Sequence, residues 1–97
     1  MAVIVTFDMP GATQAMYDEG MDRLSGGAGF ASRTEWPVPG MIAHIAGPSP
    51  AGWFVTDVWE SKEAFERFAA VLVPVLKELG YPDSPPLVFP AYNVVID

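Results

Sequence analysis

Apolar and polar positions alternate in some parts of the chain and take helical spacing in others. Val3, Val5 and Phe7 alternate with Ile4, Thr6 and Asp8 in a β-branched run that Pro10 and Gly11 close. The pattern predicts a first strand, apolar on both faces and therefore central in a sheet. Thr13 stands where a helix N-cap is needed. After it Met16, Tyr17, Gly20, Met21 and Leu24 share one helical face, and Asp18, Glu19, Asp22 and Arg23 share another. Glu19 and Arg23 have the i, i+4 spacing of a surface ion pair. Residues Ser25 to Gly40, SGGAGFASRTEWPVPG, are too rich in glycine and proline for a regular element. They also exceed the roughly 4 to 6 residues usual between elements. Two readings follow: a lid in which Arg33 and Trp36 close over a ligand, or an exposed loop without a function.

MIAHIAG, Met41 to Gly47, is a short strand, and PSPA turns the chain into the alternating GWFVTDVW. Together they predict a β-hairpin with Pro48 to Ala51 as its turn and Gly47 opposite Gly52. Ser61 is the N-cap of a second helix, with Glu60 and Glu63 suited to the positive end of its dipole. Its buried stripe is Phe65, Phe68, Ala69, Leu72, Val73, Leu76 and Leu79, with a kink or restart near Pro74 and an end at Gly80. LVFPAYNVVI predicts a last strand, at an edge or with a bulge because of Pro90.

The order β, α, β, β, α, β, with no tandem repeat and no dividing linker, predicts one domain over residues 1–97. Its class is α+β, ferredoxin-like, a four-stranded antiparallel sheet with two helices on one face. The other sheet face also carries apolar residues. A chain of 97 residues buries only roughly 60 to 65% of its unfolded surface, so the expectation is a homodimer that covers this second face.

Composition narrows the partners. Twelve acidic against five basic residues give a net charge of −7, which repels phosphate backbones and anionic lipid, so neither nucleic acid nor a membrane is an expected partner. There is no cysteine and one histidine, so thiolate and multi-histidine metal sites within one chain are excluded and no metal is expected. The apolar start MAVIVTF meets Asp8 and Pro10 too early for a signal peptide or a membrane span. The expected setting is the cytoplasm. GGAG lacks the strand-to-helix context and the lysine of a phosphate loop, no serine has a nucleophile-elbow context, and no flavin or nicotinamide fingerprint occurs.

DVWESKEAFERF, Asp57 to Phe68, preceded by HIAGPSPAGWFV, His44 to Val55, resembles the dimeric α/β-barrel superfamily, in particular the antibiotic biosynthesis monooxygenase-like domains. The resemblance implies a homodimer whose sheets face each other in a barrel, with a small-molecule pocket in each subunit between helices and sheet. Activities in that superfamily include cofactor-free oxygenation of polycyclic phenols, haem degradation, polyketide cyclisation and muconolactone-type isomerisation. Haem-degrading members ligate iron through a second-helix histidine near the position of Phe68. Phe68 and Ala69 stand there instead, which argues against haem chemistry. The resemblance therefore implies a cofactor-independent enzyme on a small apolar, aromatic or polyketide-like substrate, of monooxygenase or of cyclase and isomerase type. The alternative is a non-catalytic ligand-binding or stress-associated dimeric module.

His44 is the only side chain whose unperturbed pKa lies near neutrality, which makes it the candidate for moving a proton. Its plain alternative is a histidine satisfied by a backbone carbonyl or exposed at a sheet edge. In the register above, His44 lies opposite Val55 and diagonal to Asp57, close enough for the carboxylate to orient the imidazole, whereas a one-residue slip would part them to opposite faces. Asp57 interrupts an apolar strand, where a carboxylate needs a partner. It is a catalytic candidate or a structural acceptor. Tyr92 completes the catalytic candidates, at a position where related domains often carry a histidine. Tyr17, Trp36, Trp53, Trp59, Phe65, Phe68 and Asn93 are the candidate substrate-binding residues, the aromatic ones being equally consistent with core packing.

Overall fold

The computed structural model describes residues 1–27, 29 and 35–96. Its elements are β1 (Val3–Pro10), α1 (Gln14–Ser25), β2 (Met41–Pro48), β3 (Gly52–Trp59), α2 (Lys62–Glu78) and β4 (Leu87–Pro90). The strands form one antiparallel sheet in the order β2-β3-β1-β4, the ferredoxin-like arrangement. β1 is central, as a strand apolar on both faces must be. Val3, Val5, Phe7 and Met9 of β1 and Trp53, Val55 and Trp59 of β3 point to the helix side. There they meet Ala64, Phe65 and Phe68 of α2 to make the core.

Both helices start where their caps stand. Thr13 accepts from the Met16 N–H at 3.2 Å and Ser61 from the Ala64 N–H at 3.0 Å, each satisfying one donor that the first helical turn leaves unpaired. Arg23 pairs with Glu19 at 3.1 Å and also reaches Glu78 at 2.9 Å, tying α1 to the end of α2. Gly20 faces the end of α2, where a Cβ would make an ordinary van der Waals contact with Leu79 at 3.6 Å. α2 runs through Pro74 without a restart. Pro74 and Ala70 both lie on the exposed side, where the carbonyl that proline leaves without a donor faces solvent. Val73 is exposed rather than part of the buried stripe, and Ala64 takes a place in it.

The hairpin differs from the expected one by two residues. Ser49 and Gly52 exchange both backbone hydrogen bonds, at 2.9 and 3.2 Å, so the turn is the two-residue Pro50-Ala51. Gly47 pairs with Phe54, and His44 stands directly opposite Asp57. A shift of two keeps every side chain on its face, so the expected partnership survives the error. Gly52 is required because β1 crosses it: a Cβ would lie 2.3 Å from the Met9 carbonyl oxygen and 2.6 Å from the Gly11 nitrogen. A bulge between Met41 and Ala43 adds one residue to β2, which lets Met41 and His44 both face the helices.

The last strand is shorter than expected. β4 pairs with β1 only from Thr6 back to Val3, and Ala91 donates one more bond to the Ala2 carbonyl at 2.9 Å. Beyond that bond residues 92–96 take no part in the sheet. Pro90 sits on an edge strand, where its missing donor is harmless. The sheet face turned away from the helices carries Ile45, Phe54, Leu87 and Phe89 in exposed positions, Ile45 and Leu87 at 67% and 68%. No helix among the described residues is long and apolar enough to cross a membrane.

Candidate active site

Between α1, α2 and the sheet lies a small cleft, partly open to solvent. Phe7, Met9 and Val55 form its sheet wall, Gly20, Met21 and Leu24 come from α1, and Phe68, Leu72 and Leu76 from α2. Four residues with polar groups, Tyr17, His44, Asp57 and Tyr81, also take part in the lining. Trp36, on the segment before β2, closes one side, its ring 4.8 Å from the imidazole of His44 and 6.4 Å from Phe68.

Direct opposition of His44 and Asp57 across two strands produces the centre of the site. His44 Nδ1 lies 2.6 Å from Asp57 Oδ1. The second carboxylate oxygen accepts from the Trp59 indole N–H at 3.3 Å, a bond available because residues two apart on a strand share a face. Asp57 is 2% exposed and the His44 side chain 17%. Burying a carboxylate so deeply is costly unless it is hydrogen-bonded, and here both oxygens are. An ionised carboxylate only accepts, so the proton of that 2.6 Å contact belongs to His44 Nδ1. In the neutral imidazole Nε2 is then an acceptor, and the hydroxyl that meets it at 2.5 Å is that of Tyr17. The Tyr17 ring lies nearly parallel to the imidazole, 9° between planes, and rests against Trp53 at 5.2 Å.

Burial, and after it the negative charge of Asp57 and smaller effects of Asp18 and Tyr81, push the Tyr17 phenol from 10.0 up to about 12. Tyr81 is raised as well, by burial and then by Asp18. The linkage has a definite sign. Above pH 10 the unfolded chain loses the Tyr17 proton while the native protein keeps it, so the native state is disfavoured increasingly from pH 10 to about 12 and unaffected below. Because Tyr17 is only half-buried, solvent screening limits this loss to about 1 kcal/mol or less. Urea midpoints measured between pH 9 and 11.5 should therefore fall more steeply for the wild type than for Tyr17→Phe. Equal slopes would show that the phenol is not held in this environment.

Of the residues singled out in the sequence, the structure brings His44, Asp57, Tyr17, Trp36 and Phe68 together in the cavity wall. Trp59 is fully buried behind Asp57 as its donor, and Phe65 fills the core between Phe7 and Trp59, with ring centroids 6.2 and 6.3 Å away. Trp53 is buried beneath Tyr17 and outside the wall. Tyr92 and Asn93 do not reach the site. Both are exposed in the segment after β4, Tyr92 completely so, because the strand that would have carried them inward ends at Pro90. Arg33 lies outside the described residues. Tyr81 was missed. Its place follows from the end of α2, where Gly80 takes a φ of +77° and the Tyr81 N–H returns to the Leu76 carbonyl at 3.1 Å, a C-cap geometry that folds the next side chain back onto the helix.

No protein-family model matches the chain, and no curated protein sequence does. Among solved structures the chain is similar to SnoaB, a cofactor-independent oxygenase from Streptomyces nogalater, at 20% identity and a TM-score of 0.61, covering 99% of this chain and 97% of that one. It is also similar to a monooxygenase from the gene ActVA-Orf6 of Streptomyces coelicolor, in complex with nanaomycin D, at 23% identity and a TM-score of 0.51, with coverage of 99% and 91%. The likeness runs over nearly the whole of each chain. It establishes a shared fold, the one implied by the stretch from Asp57 to Phe68.

Proposed function

We propose that this chain is a cofactor-independent oxygenase acting on a small, mainly apolar aromatic or polyketide-like substrate held between the helices and the sheet. The observation that carries the reading is the buried His44–Asp57 pair in the wall of an otherwise apolar cavity. A site made only to hold a hydrophobic metabolite has no use for a carboxylate desolvated behind an imidazole, whereas proton abstraction does: Asp57 fixes the tautomer and stabilises the imidazolium as it forms. Two of the solved structures that share the fold are described as oxygenases, one as cofactor-independent and the other with nanaomycin D bound, which supports the same reading.

The chemistry balances with dioxygen as the only co-reactant. Loss of one proton from an acidic ring methylene leaves a carbanion delocalised over the aromatic system. It gives its electrons to dioxygen, and the resulting peroxide takes the proton back. Loss of water then leaves a carbonyl, so that CH2 and O2 become C=O and H2O. The substrate supplies the electrons. The protein supplies the base, an orienting aromatic wall of Trp36 and Phe68, and a dry pocket that spares the carbanion from reprotonation by solvent. The open sheet face with Ile45, Phe54, Leu87 and Phe89 is suited to a second copy of the chain.

Metal-free protein, checked by sedimentation to have about twice the chain mass, should consume oxygen with at least one anthrone, one ring carbonyl and one water forming per O2 without accumulation of hydrogen peroxide. No uptake across such a panel would turn the assignment toward cyclisation, isomerisation or binding, and a concentration-independent monomer would remove the proposed dimer.

A further inference from the structure

Both ring nitrogens of His44 are already engaged by the protein, which leaves the imidazole no free nitrogen to offer a ligand. Nδ1 is committed to Asp57, at 2.6 Å, and Nε2 to Tyr17, at 2.5 Å. The face of the ring is covered by Trp36 on one side of the cavity, and the Tyr17 ring lies parallel to it. We infer that Tyr17, not His44, is the catalytic residue that touches the ligand, its hydroxyl passing protons between the ligand and His44. This rests on the proton-abstracting function proposed above.

The hydrogen-bond inventory sets the direction of each bond. Asp57 accepts from Trp59 and from His44, so Nδ1 holds its proton and Nε2 has only a lone pair. Tyr17 must then donate to Nε2, and its oxygen retains lone pairs while the side chain lines the cavity. A ligand proton lands on this oxygen. As the ligand C–H bond breaks, a new O–H bond forms at Tyr17, the original Tyr17 O–H bond breaks and an N–H bond forms at Nε2. The products are a ligand carbanion and an imidazolium paired with the Asp57 carboxylate, and Tyr17 ends as it began, a neutral phenol. The reverse sequence delivers the proton to the peroxide anion. Because the phenol is held up to about 12, it does not rest as a phenolate, and transfer through it requires the histidine behind it to accept at the same time. The three groups act as one unit, so their losses should not add.

The probe is anthrone under strict exclusion of oxygen in D2O, with deuterium incorporation at its ring methylene followed by NMR. Wild-type protein should speed exchange above buffer. Tyr17→Phe, which keeps the ring and its packing on Trp53, should lose at least about tenfold of the enzymic rate, matching His44→Gln, and the double variant should be no slower than either alone. Exchange by Tyr17→Phe within twofold of wild type would overturn the inference, since His44 would then be meeting the ligand itself. So would a wild type no faster than buffer. The chain has one histidine, so ¹⁵N-histidine spectra read this ring alone. They should show the proton on Nδ1 and a Nε2 resonance that shifts in Tyr17→Phe, and a proton on Nε2 in the neutral ring would overturn the inference independently of any substrate. Oxygen uptake absent while exchange persists would sink the oxygenase function and leave the relay standing.

Discussion

Replacing His44 with glutamine should lower kcat for oxygen uptake by about 10² to 10⁴-fold, the usual worth of a positioned general base, and leave the fold intact. Glutamine retains an amide N–H that can donate to Asp57 Oδ1, so the buried carboxylate keeps a partner and the pocket keeps its shape. It lacks a nitrogen that accepts and returns a proton, so the chemical step fails while substrate still enters. The expected pattern is a fall in kcat with little change in KM and a melting temperature within a few degrees of wild type. A variant that keeps more than about a third of wild-type turnover would assign the base to some other group. A variant that loses both turnover and cooperative unfolding would mean that His44 is structural. Asp57→Asn tests the pair from the other side. It should cost less turnover, since the amide oxygen can still accept from His44 Nδ1 while its NH2 faces the Trp59 indole, and the charge that stabilises the imidazolium is gone.

The largest effect on stability should come from Trp59→Ala, which should destabilise the protein by about 3 to 5 kcal/mol in urea unfolding. Trp59 is wholly buried, its ring stacked on Phe68 at 5.1 Å and edge-on to Phe65 at 6.3 Å, so its loss would leave a large gap in the core. A domain of this length has roughly 5 to 15 kcal/mol in total, so much of the fold's stability would go with one side chain. Two effects are mixed in that loss, and Trp59→Phe separates them. Phenylalanine keeps most of the packing but leaves Asp57 Oδ2 without its indole donor, for which the expected loss is about 1 to 3 kcal/mol. A Trp59→Ala protein that unfolds within 1 kcal/mol of wild type would refute the packing described for the core.

Trp59 also shows how far the sequence reaches. Its place after Asp57 in an alternating strand, followed by Ser61 and a helical stripe, fixes locally that strand, cap and helix follow one another. Period-two and period-3.6 patterns are local signals, so the element order, the central β1, both N-caps and the Glu19–Arg23 pair could all be read from neighbours in the chain. The facing of His44 toward Asp57 could be read too, because any even register gives the same answer.

What the sequence could not supply were quantities set by contacts distant in the chain. The two-residue turn Pro50-Ala51 is fixed by the Ser49–Gly52 hydrogen bonds, and the tight pairing of Gly52 with β1, which leaves no room for a Cβ, joins residues about forty apart. β4 ends at Pro90, opposite Val3, a boundary invisible within LVFPAYNVVI itself, and Tyr92 lies in solvent beyond it. Tyr17 became the partner of His44 for the converse reason. A helical face predicts that a side chain points inward, but which group it meets depends on where α1 lies over the sheet, and that is decided by packing of the helices on β1 and β3. The sequence by itself determined the architecture and put His44 and Asp57 forward as a candidate pair on one sheet face, while their direct opposition and burial came from the fold. Tertiary structure alone placed a phenol on that imidazole, because hydrogen-bond partners within 3 Å are fixed by the position of whole elements and not by the spacing of residues along them.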